Sequence, residues 1–490
     1  MTAYLSEVAA ALPGARQRGD DVVVVDATHD SRQVVQDGLF CAIRGATVDG
    51  HDHAAQAVAD GARALLVDHW LDLPVAQVLV SDVRAAAGPA AAVVHGRPTD
   101  QLCVVGVTGT NGKTTTAYLL EAAFAAHGTG VGVIGTVETR VHGEAQPGVR
   151  TTPEGTDLQR LLRHMRDRGA DAVAMEVSSH GLDLHRVDGT RFAVAAWTNL
   201  TQDHLDWHGT MEAYFAAKAR LFTSAFAGRG VVHLDGPWAR RLLEVSEIPV
   251  VTVGRDEAAD VRIVDEVADV TGSRARLVGR EIDLPIATRL PGRFNTTNAA
   301  LAVLSAIEAG VPAAVAAEGV AACPGAPGRL ERVEAGQPFT VLVDYAHTAD
   351  AVEQALETVR DLLEPDRRVV VVLGAGGDRD RAKRAPMGAA AARADVAVLT
   401  SDNPRSEDPG AILAAVADGA RAAVAAGAPA SVHTELDRRR AIALALALAA
   451  PGDVVVIAGK GHETGQQFAD RTLPFDDRLV ARELLEGSQE

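Results

Sequence analysis

The chain has 490 residues, of which 47% are hydrophobic and 23% charged, a globular composition with room for about three domains. Its 65 acidic residues outnumber its 47 lysines and arginines, and the net charge of −18 argues against non-specific nucleic-acid binding. Three scattered cysteines form neither a disulfide framework nor a zinc pattern. Apolar runs stay below the roughly 18 residues of a membrane span, and segment 1–20 is unlike a signal peptide, so we expect a cytoplasmic protein.

Residues 1–98 are predicted to form a small α/β domain. Hydrophobic periodicity indicates helices over 5–12 and 54–60 and strands over 22–25 and 64–67. The segment 96–100 contains glycine and proline and is predicted to be a linker.

Strands and helices alternate through the next two predicted domains, 99–327 and 328–490. In the central domain we predict strands over 102–107, 172–177, 192–197 and 230–234, helices over 115–126, 156–166 and 211–222, and an antiparallel patch within 255–290. In the C-terminal domain we predict strands over 340–344, 368–373, 396–400 and 454–458 and helices over 349–363, 410–426 and 438–449. This alternation predicts an α/β fold with doubly wound, largely parallel sheets.

A glycine-rich loop lies between the first strand and the first helix of the central domain. It contains Gly109, Thr110, Asn111, Gly112, Lys113, Thr114 and Thr115. Backbone N–H groups of such a loop and the following helix N-terminus attract phosphate, Lys113 can reach the β- and γ-phosphates, and Thr114 can hold Mg²⁺. The strict pattern has glycine where Val107 stands, and a plain turn is the alternative. The loop predicts binding of a nucleoside triphosphate.

Three further positions of the central domain indicate metal or reactive chemistry. Glu176 ends an apolar strand, where a carboxylate faces the ligand crevice and can share Mg²⁺ with Thr114. A solvated acid is the alternative interpretation of Glu176.

His204 lies in a segment, 203–208, with two histidines and two aspartates. This composition suits a divalent metal but also a plain polar loop. Lys218 lies in the apolar stripe of a predicted helix. It either extends its amine to solvent or is buried, with a lowered pKa and a reactive amine.

Charged residues follow successive predicted strands of the C-terminal domain. Arg329 precedes the first strand and Asp344 ends it, and Arg329 is placed to hold a γ-phosphate. Later strand ends carry Arg379, Asp402, Asn403, Arg405, Gly459 and Glu463. Because the carboxyl ends of parallel strands meet at one edge, we expect these side chains to line one crevice. Arginine together with carboxylate suits a zwitterion such as an amino acid, and turns rich in solvated charge are the alternative.

These segments together resemble the Mur ligase family of ATP-dependent, peptide-bond-forming enzymes over nearly the whole chain. The resemblance rests on Thr-Gly-Thr-Asn-Gly-Lys-Thr-Thr (108–115), Thr-Thr-Pro-Glu (151–154), Glu-Val-Ser-Ser-His (176–180), Asp-His-Leu-Asp (203–206), the helix around Lys218, Pro-Gly-Arg-Phe-Asn (291–295), Pro-Gly-Arg-Leu-Glu (327–331) and Asp-Tyr-Ala-His-Thr (344–348). It implies an N-terminal α/β UDP-binding domain, a central P-loop ATPase domain and a C-terminal Rossmann-like domain that binds an amino acid.

The resemblance also implies site residues, with ATP and Mg²⁺ as cofactors. Lys113, Thr114 and Glu176 would hold the phosphates and one magnesium, and His204 and a carbamylated Lys218 would hold a second. The residues that match the adenosine site and the domain cleft are Asn295, Asn298, Arg329 and Asp344. The residues that match the site for a UDP-muramoyl-dipeptide are Ser31, Thr151, Thr152, Ser178 and Arg186.

Within the family, the segment 402–405 resembles the version that adds meso-diaminopimelate to UDP-N-acetylmuramoyl-L-alanyl-D-glutamate. Diaminopimelate keeps a distal carboxylate and ammonium when one amine attacks, so its pocket needs Arg405 or Arg379 as a cation and an acceptor such as Glu463. Lysine lacks that carboxylate and would leave arginine unpaired. The implied reaction passes through an acyl phosphate. Small molecules are the expected partners, and we expect a monomer.

Two alternatives stay open from the sequence. A folylpoly-γ-glutamate or cyanophycin-type synthetase would join another acid and amine, although Asp30-Ser31-Arg32 favours a UDP-sugar substrate. A nucleotide-dependent switch or a catalytically silent paralogue is the second alternative. The catalytically silent paralogue is disfavoured because the chain retains all of the following candidate site residues: Lys113, Glu176, His204, Lys218 and Asp344. Leu184 stands where the resemblance leads us to expect a substrate-contacting glutamine.

Overall fold

The computed structural model of the protein describes residues 2–45, 47–148 and 150–487. The chain divides into two compact units assembled from separate segments. The first comprises Met1–Asp265, Arg276–Ile286 and Thr297–Cys323, and the second comprises Glu266–Ala275, Ala287–Thr296 and Pro324–Glu490. The N-terminal and central regions thus pack as one body, and the predicted domain boundaries stay a prediction. Within the described ranges no helix is long and apolar enough to cross a membrane.

The N-terminal region contains a small parallel sheet with helices. Its elements are β1 (Ala3–Tyr4), α1 (Leu5–Ala10), β2 (Arg16–Arg18), β3 (Val23–Val24), β4 (Ala27–Thr28), β5 (Gly38–Cys41), α2 (Ala54–Ala59), β6 (Ala62–Val67), β7 (Ala76–Leu79) and α3 (Val83–Val94). Strands β4, β5, β6 and β7 pair in parallel in that order, and β2 pairs with β7 antiparallel. The four predicted elements are confirmed as α1, α2, β3 and β6.

The central region is built on an eleven-stranded sheet. Its strands are β8 (Cys103–Thr108), β9 (Val131–Ile134), β10 (Glu138–Val141), β11 (Glu144–Pro147), β12 (Ala172–Glu176), β13 (Phe192–Trp197), β14 (Ala227–His233), β15 (Val250–Gly254), β16 (Val261–Asp269), β17 (Gly272–Gly279) and β18 (Ile282–Thr288). From β9 through β12, β8, β13, β14 and β15 to β16 the neighbours are parallel. Because β8 lies between β12 and β13, the strand order reverses at β8, and this reversal marks the ligand crevice of a doubly wound sheet.

The helices of the central region connect these strands. They are α4 (Lys113–Ala126), α5 (Gly155–Asp167), α6 (Ser179–Asp183), α7 (Leu205–His208), α8 (Met211–Ala219), α9 (Pro237–Val245), α10 (Arg293–Glu308) and α11 (Ala313–Ala322). The helix predicted over 211–222 ends earlier, because a 3₁₀ turn over Arg220–Phe222 continues α8. The predicted antiparallel patch is confirmed in β16–β18. Arg280 and Glu281 join β17 to β18 with φ values of 47° and 64°, as in a two-residue hairpin turn.

Helix α3 is one of several helices that we did not predict, as are α9, α10 and α11 and, in the second unit, the helices Arg384–Ala391 and Asp477–Gly487. Half of the residues of α3 are alanine, so its apolar periodicity is weak, and Pro89 inside the helix is typical of a break. In the folded chain α3 packs closely on α5. A side chain at Gly88 would collide with the backbone of Asp188, and one at Gly155 would press on Gly88. Close backbone contact within the first unit therefore stabilises a helix whose sequence is locally ambiguous.

The second unit contains the C-terminal sheet. Its elements are β19 (Glu331–Arg332), β20 (Thr340–Asp344), α12 (Ala349–Asp361), β21 (Val369–Ala375), α13 (Arg384–Ala391), β22 (Val396–Ser401), α14 (Pro409–Ala425), β23 (Ser431–Thr434), α15 (Arg438–Leu448), β24 (Val454–Ala458), β25 (Gly465–Gln467), β26 (Thr472–Pro474) and α16 (Asp477–Gly487). Strands β20, β24, β21, β22 and β23 are parallel, with β19 antiparallel at the edge. Separate apolar clusters cover the two faces, which confirms the predicted α/β layers.

Candidate active site

The glycine loop follows β8 and leads directly into α4. Gly112 precedes the first residue of α4 and has a φ of 87°, a left-handed conformation that favours glycine. A side chain at Gly112 would collide with the Asn298 side chain. Lys113 Nζ donates to the carbonyl oxygens of Gly109 at 2.9 Å and Thr110 at 2.8 Å. The loop therefore has the backbone of a phosphate cradle, with its lysine bonded to the loop itself.

Lys218 is buried beside this loop, with only 1% of its surface exposed. Its Nζ donates to Gly109 O at 2.8 Å and lies 4.9 Å from the centroid of the Tyr214 ring. Burial, reinforced by the positive charge of Lys113, lowers the pKa of Lys218 well below its usual value. The second of our two alternatives for Lys218, a buried amine, is confirmed. A neutral amine in this position is a nucleophile.

His204 lies in a group of aromatic rings near Lys218. Its ring centroid is 4.7 Å from that of His180 and 6.0 Å from that of Tyr214. Burial lowers the pKa of His204, and the charge of Asp203 opposes this shift only in part. Burial also lowers the pKa of His180. Neutral imidazole is the form that binds metals, so the environment of His204 suits its predicted role.

Glu176 ends β12 as a buried carboxylate, 1% exposed. Thr136 donates to it twice, from its backbone N–H to Oε1 at 2.8 Å and from its hydroxyl to Oε2 at 3.1 Å. The Thr136 hydroxyl also lies 2.9 Å from that of Thr151. Glu176 is therefore a buried side chain held by hydrogen bonds at the carboxyl end of a central strand, and the alternative of a solvated acid is wrong.

Two further hydroxyl groups meet next to the backbone of Glu176. Thr152 Oγ1 donates to the Glu176 carbonyl at 3.1 Å and lies 3.1 Å from Ser178 Oγ. Arg186 approaches the Thr152 carbonyl at 3.4 Å and pairs with Glu154 at 2.9 Å. Burial lowers the pKa of Arg186 despite that pairing. The structure thus brings together Thr151, Thr152, Ser178 and Arg186, four of the five residues that match a UDP-muramoyl-dipeptide site.

Ser31, the fifth residue of that set, lies in a 3₁₀ turn of the N-terminal region. Two residues earlier, His29 Nδ1 lies 2.8 Å from the hydroxyl of Thr156 on α5. The segment that carries Ser31 is thereby fixed to the same helix that follows Thr151 and Thr152. Asn298, on α10, lies within 3.5 Å of the Thr116 hydroxyl, next to the glycine loop.

The second unit holds the remaining predicted residues. Asn295 donates to Pro291 O at 2.8 Å. Asp344 accepts hydrogen bonds at 2.8 Å from the backbone N–H groups of Leu330 and Ala346. Burial nevertheless raises the pKa of Asp344, with Arg329 acting in the opposite direction. The Arg329 guanidinium lies 4.8 Å from the centroid of the Tyr345 ring. Arg329 and Asp344 therefore lie close together, as their positions around β20 predict.

The residues predicted to bind an amino acid form one polar pocket. Asn403 donates to Glu463 Oε2 at 2.7 Å. Arg405 donates to Gly377 O at 2.7 Å and to Gln467 Oε1 at 3.2 Å. The side chains of Arg405 and Arg379 both approach Gly376, and a Cβ at Gly459 would lie 3.6 Å from Asp402 Oδ2. The expectation that these strand ends converge is confirmed.

Several residues of these sites were not predicted. Thr136 binds Glu176, Tyr214 and His180 surround His204 and Lys218, and Lys460 lies at the centre of the polar pocket. The segment Gly-Lys-Gly-His-Glu over 459–463 was the available signal for Lys460, because a lysine between two glycines at a strand end is unusual for a plain turn.

Comparisons with known proteins agree with this geometry. Three family models match the chain: the Mur ligase family catalytic domain over residues 26–96, the Mur ligase middle domain over 107–306 and the Mur ligase glutamate ligase domain over 328–461. The chain is 47% identical to a protein of Streptomyces avermitilis named UDP-N-acetylmuramoyl-L-alanyl-D-glutamate--2,6-diaminopimelate ligase, with coverage of 99% of this chain and 97% of that protein.

Two further proteins with that name are also similar. The one from Geobacillus thermodenitrificans is 45% identical, with coverage of 95% of each chain. A solved structure of a ligase with the same name superposes with a TM-score of 0.75 at 31% identity, with both chains covered completely. The chain belongs to the Mur ligase family and is a ligase.

Proposed function

We propose that the protein uses ATP to join meso-2,6-diaminopimelate to the D-glutamate residue of UDP-N-acetylmuramoyl-L-alanyl-D-glutamate, a step in the synthesis of a peptidoglycan precursor. The observation that carries this proposal is the polar pocket of the second unit, where Arg405 and Arg379 lie with Asn403 and the acceptor Glu463. Such a pocket suits both ends of a diamino dicarboxylic acid. The name of the relatives that match nearly the whole chain supports the choice of substrates.

The first step proposed is phosphoryl transfer at the glycine loop. An oxygen of the D-glutamate γ-carboxylate forms a bond to the γ-phosphorus, the bond to ADP breaks, and an acyl phosphate results. Lys113 exchanges its bonds to Gly109 O and Thr110 O for phosphate oxygens, since its ammonium lies within the loop. Thr151, Thr152, Ser178 and Arg186 hold the acid substrate, which is supported by their mutual contacts around Glu176.

The second step is amide formation. The free amine of diaminopimelate attacks the acyl carbon, the carbon–oxygen bond to phosphate breaks, and phosphate and the amine proton leave. Glu463 and Asn403 orient the ammonium end of the amino acid, and Arg405 and Arg379 pair with its distal carboxylate. L-Lysine has no distal carboxylate to pair with the two arginines, so it is the weaker substrate.

The donor set around the loop fits Mg²⁺. Glu176 is a buried carboxylate and Thr114 a buried hydroxyl, and oxygen ligands are what Mg²⁺ prefers. The neutral amine of Lys218 can form a bond to the carbon of CO₂ with loss of a proton, and the resulting carbamate supplies anionic oxygens beside His204. When bound, Mg²⁺ stabilises negative charge on the phosphate oxygens.

Phosphate release by the purified protein tests the proposal. With ATP, Mg²⁺ and UDP-N-acetylmuramoyl-L-alanyl-D-glutamate, we expect release to depend on meso-diaminopimelate and the product mass to rise by one diaminopimelate residue. Equal amounts of L-lysine should give at least about tenfold less. Release with lysine alone would contradict the assignment of Arg405, and absence of release with both amines would contradict the proposed function.

A further inference from the structure

Lysine is rare in this chain. Among 47 basic residues only four are lysines, namely Lys113, Lys218, Lys383 and Lys460. The two residue types are not interchangeable, because an ammonium is a compact point charge and a guanidinium is a planar fork. Lys113 and Lys218 belong to the glycine-loop site, and Lys383 is exposed. Lys460 is completely buried, and neither proposed step uses it.

The ammonium of Lys460 contacts three acceptors. Its Nζ lies 2.9 Å from Glu463 Oε2, 3.1 Å from Asn403 Oδ1 and 3.4 Å from Asp402 Oδ1. An ammonium has three N–H donors, so each can be used. Gly459 and Gly461 flank the lysine with φ values of 111° and 54°, and these left-handed turns place it between the ends of two strands.

These contacts fix the orientation of Asn403. Lys460 Nζ and the backbone N–H of Gln467 both donate to Asn403 Oδ1, the latter at 2.9 Å. The amide nitrogen of Asn403 therefore points to Glu463 Oε2, at 2.7 Å. Oε2 thus accepts two bonds, while no donor among the described residues is seen on Oε1. Since 33% of the Glu463 side chain is exposed, Oε1 is the oxygen available to an ammonium group of a ligand.

The charge balance of the pocket also depends on Lys460. Asp402 and Glu463 both lie within 3.4 Å of Nζ. Without the lysine between them, these two carboxylates would repel each other and the pocket would lose this arrangement. With Lys460 the three ionic groups carry one net negative charge, which matches a single ligand ammonium.

We propose that Lys460 is a positioning residue of the amino-acid pocket: its ammonium holds Asn403 and Glu463 in the arrangement that accepts an ammonium group of the incoming diamino acid. The inference rests on the proposed function, because it places Lys460 in the pocket for diaminopimelate. It assigns specificity for the amine end of the substrate to a residue that does not itself contact the substrate.

Steady-state kinetics of three variants test this role. Lys460→Met keeps the length of the side chain without its charge, and we expect the KM for diaminopimelate to rise about 10- to 100-fold while the KM values for ATP and the UDP-muramoyl-dipeptide stay unchanged. Lys460→Arg keeps a positive charge but has a group of different shape, so its KM for diaminopimelate should lie between those of the wild type and Lys460→Met. Lys383→Met, at an exposed lysine of the same unit, should match the wild type.

The split between KM values distinguishes positioning from a general structural role. A purely structural lysine would lower the active fraction or the thermal stability with an unchanged KM for diaminopimelate, and that result would overturn the inference. If Lys460→Met does not fold, Lys460→Arg decides by the same criterion. Failure of the proposed function itself gives a different result, because the wild-type protein would then release no phosphate with diaminopimelate. That result would overturn the inference as well.

Discussion

Lys218 and Lys460 are both buried almost completely, yet their surroundings are opposite. Lys218 donates to a backbone carbonyl and lies near an aromatic ring and a second lysine. Lys460 donates to two carboxylates and an amide oxygen. Burial without an anion removes the charge of an amine, while burial with anions turns it into a fixed cation. The two lysines therefore have different proposed roles, as a nucleophile in the first unit and as an electrostatic anchor in the second.

This difference follows from what each lysine contacts and not from how deeply it is buried. Gly109 O offers a single neutral acceptor to Lys218, and Lys113 adds repulsion. The first two predictions below change the two lysines themselves, and the two that follow change other charged residues of the same two units.

The largest effect is expected at Lys218. Lys218→Ala removes the group that we propose becomes an anionic carbamate, and activity should fall by about 10³-fold or more. Added formate or acetate should restore part of that activity, since a small carboxylate can occupy the vacated space, whereas methylammonium should not. Phosphate-release assays with each additive measure this. Rescue by the amine alone would show that the site needs a cation and would contradict the comparison.

Arginine at the two positions should have unequal effects on stability. Arginine keeps its charge at physiological pH, so Lys218→Arg buries a cation that has no carboxylate in hydrogen-bond contact and should lower the free energy of unfolding by about 3–5 kcal/mol. Lys460→Arg retains two carboxylate partners and should cost about 1–2 kcal/mol. Urea unfolding of both variants provides the measurement, with Lys383→Arg as the exposed control. Equal losses at the two positions would remove the distinction between them.

A smaller effect is expected at the other charge of the amino-acid pocket. Arg405→Ala removes a partner for the distal carboxylate and should raise the KM for diaminopimelate about 10- to 100-fold, with little change for L-lysine. Arg381→Ala, an exposed arginine that pairs with Glu407 at 3.0 Å, is the matched control. A parallel rise for both amines would indicate that Arg405 acts on the fold of the pocket.

The smallest effect concerns an ion pair of the first unit that contacts neither buried lysine. Burial raises the pKa of Asp26, but the hydrogen bonds and charges of His95 and Arg160 outweigh it and lower the pKa from 3.8 to about 2. An acid whose pKa is lower in the folded state stabilises the folded protein fully at pH values above its unfolded-state pKa. That contribution is lost as the pH falls through the folded-state pKa. Asp26→Asn should therefore cost about 1–2 kcal/mol near neutral pH.

Thermal or urea unfolding of Asp26→Asn across acid pH checks this sign. The wild type should lose the contribution between pH 3.8 and about 2, and the variant should lack that part of the slope. The same slope in both proteins would contradict the assignment of the low pKa to Asp26.

The sequence predicted β8, β12 and β13 and the sites that lie at the ends of these strands. β8, β12 and β13 are apolar runs followed by polar residues, so Lys113 and Glu176 could be placed from the pattern alone. α3 could not be predicted, because Pro89 inside the segment indicates a break. The alanine-rich sequence around Pro89 has no helical pattern strong enough to outweigh that indication. Its helical form depends on close packing between glycines distant in the sequence.

Lys460 shows a second limit of sequence-based prediction. Its partners Asp402 and Asn403 are 58 and 57 positions away, and only the parallel arrangement of β22, β21 and β24 brings their strand ends together. For the same reason the sequence could not decide whether Lys218 is buried, since a lysine on an apolar helix face can point to solvent or inward. In each case the environment that decides the chemistry is tertiary.

The most direct test of the contrast between the two lysines is ¹³C NMR of the protein equilibrated with ¹³C-bicarbonate. Lys218, whose pKa is lowered by burial, should form a carbamate, and Lys460, which donates to two carboxylates and an amide oxygen, should not. We predict a carbamate resonance in the wild type that persists in Lys460→Met and Lys383→Met and disappears in Lys218→Ala. A spectrum with no carbamate, or one whose carbamate disappears with Lys460 and persists without Lys218, would contradict the account.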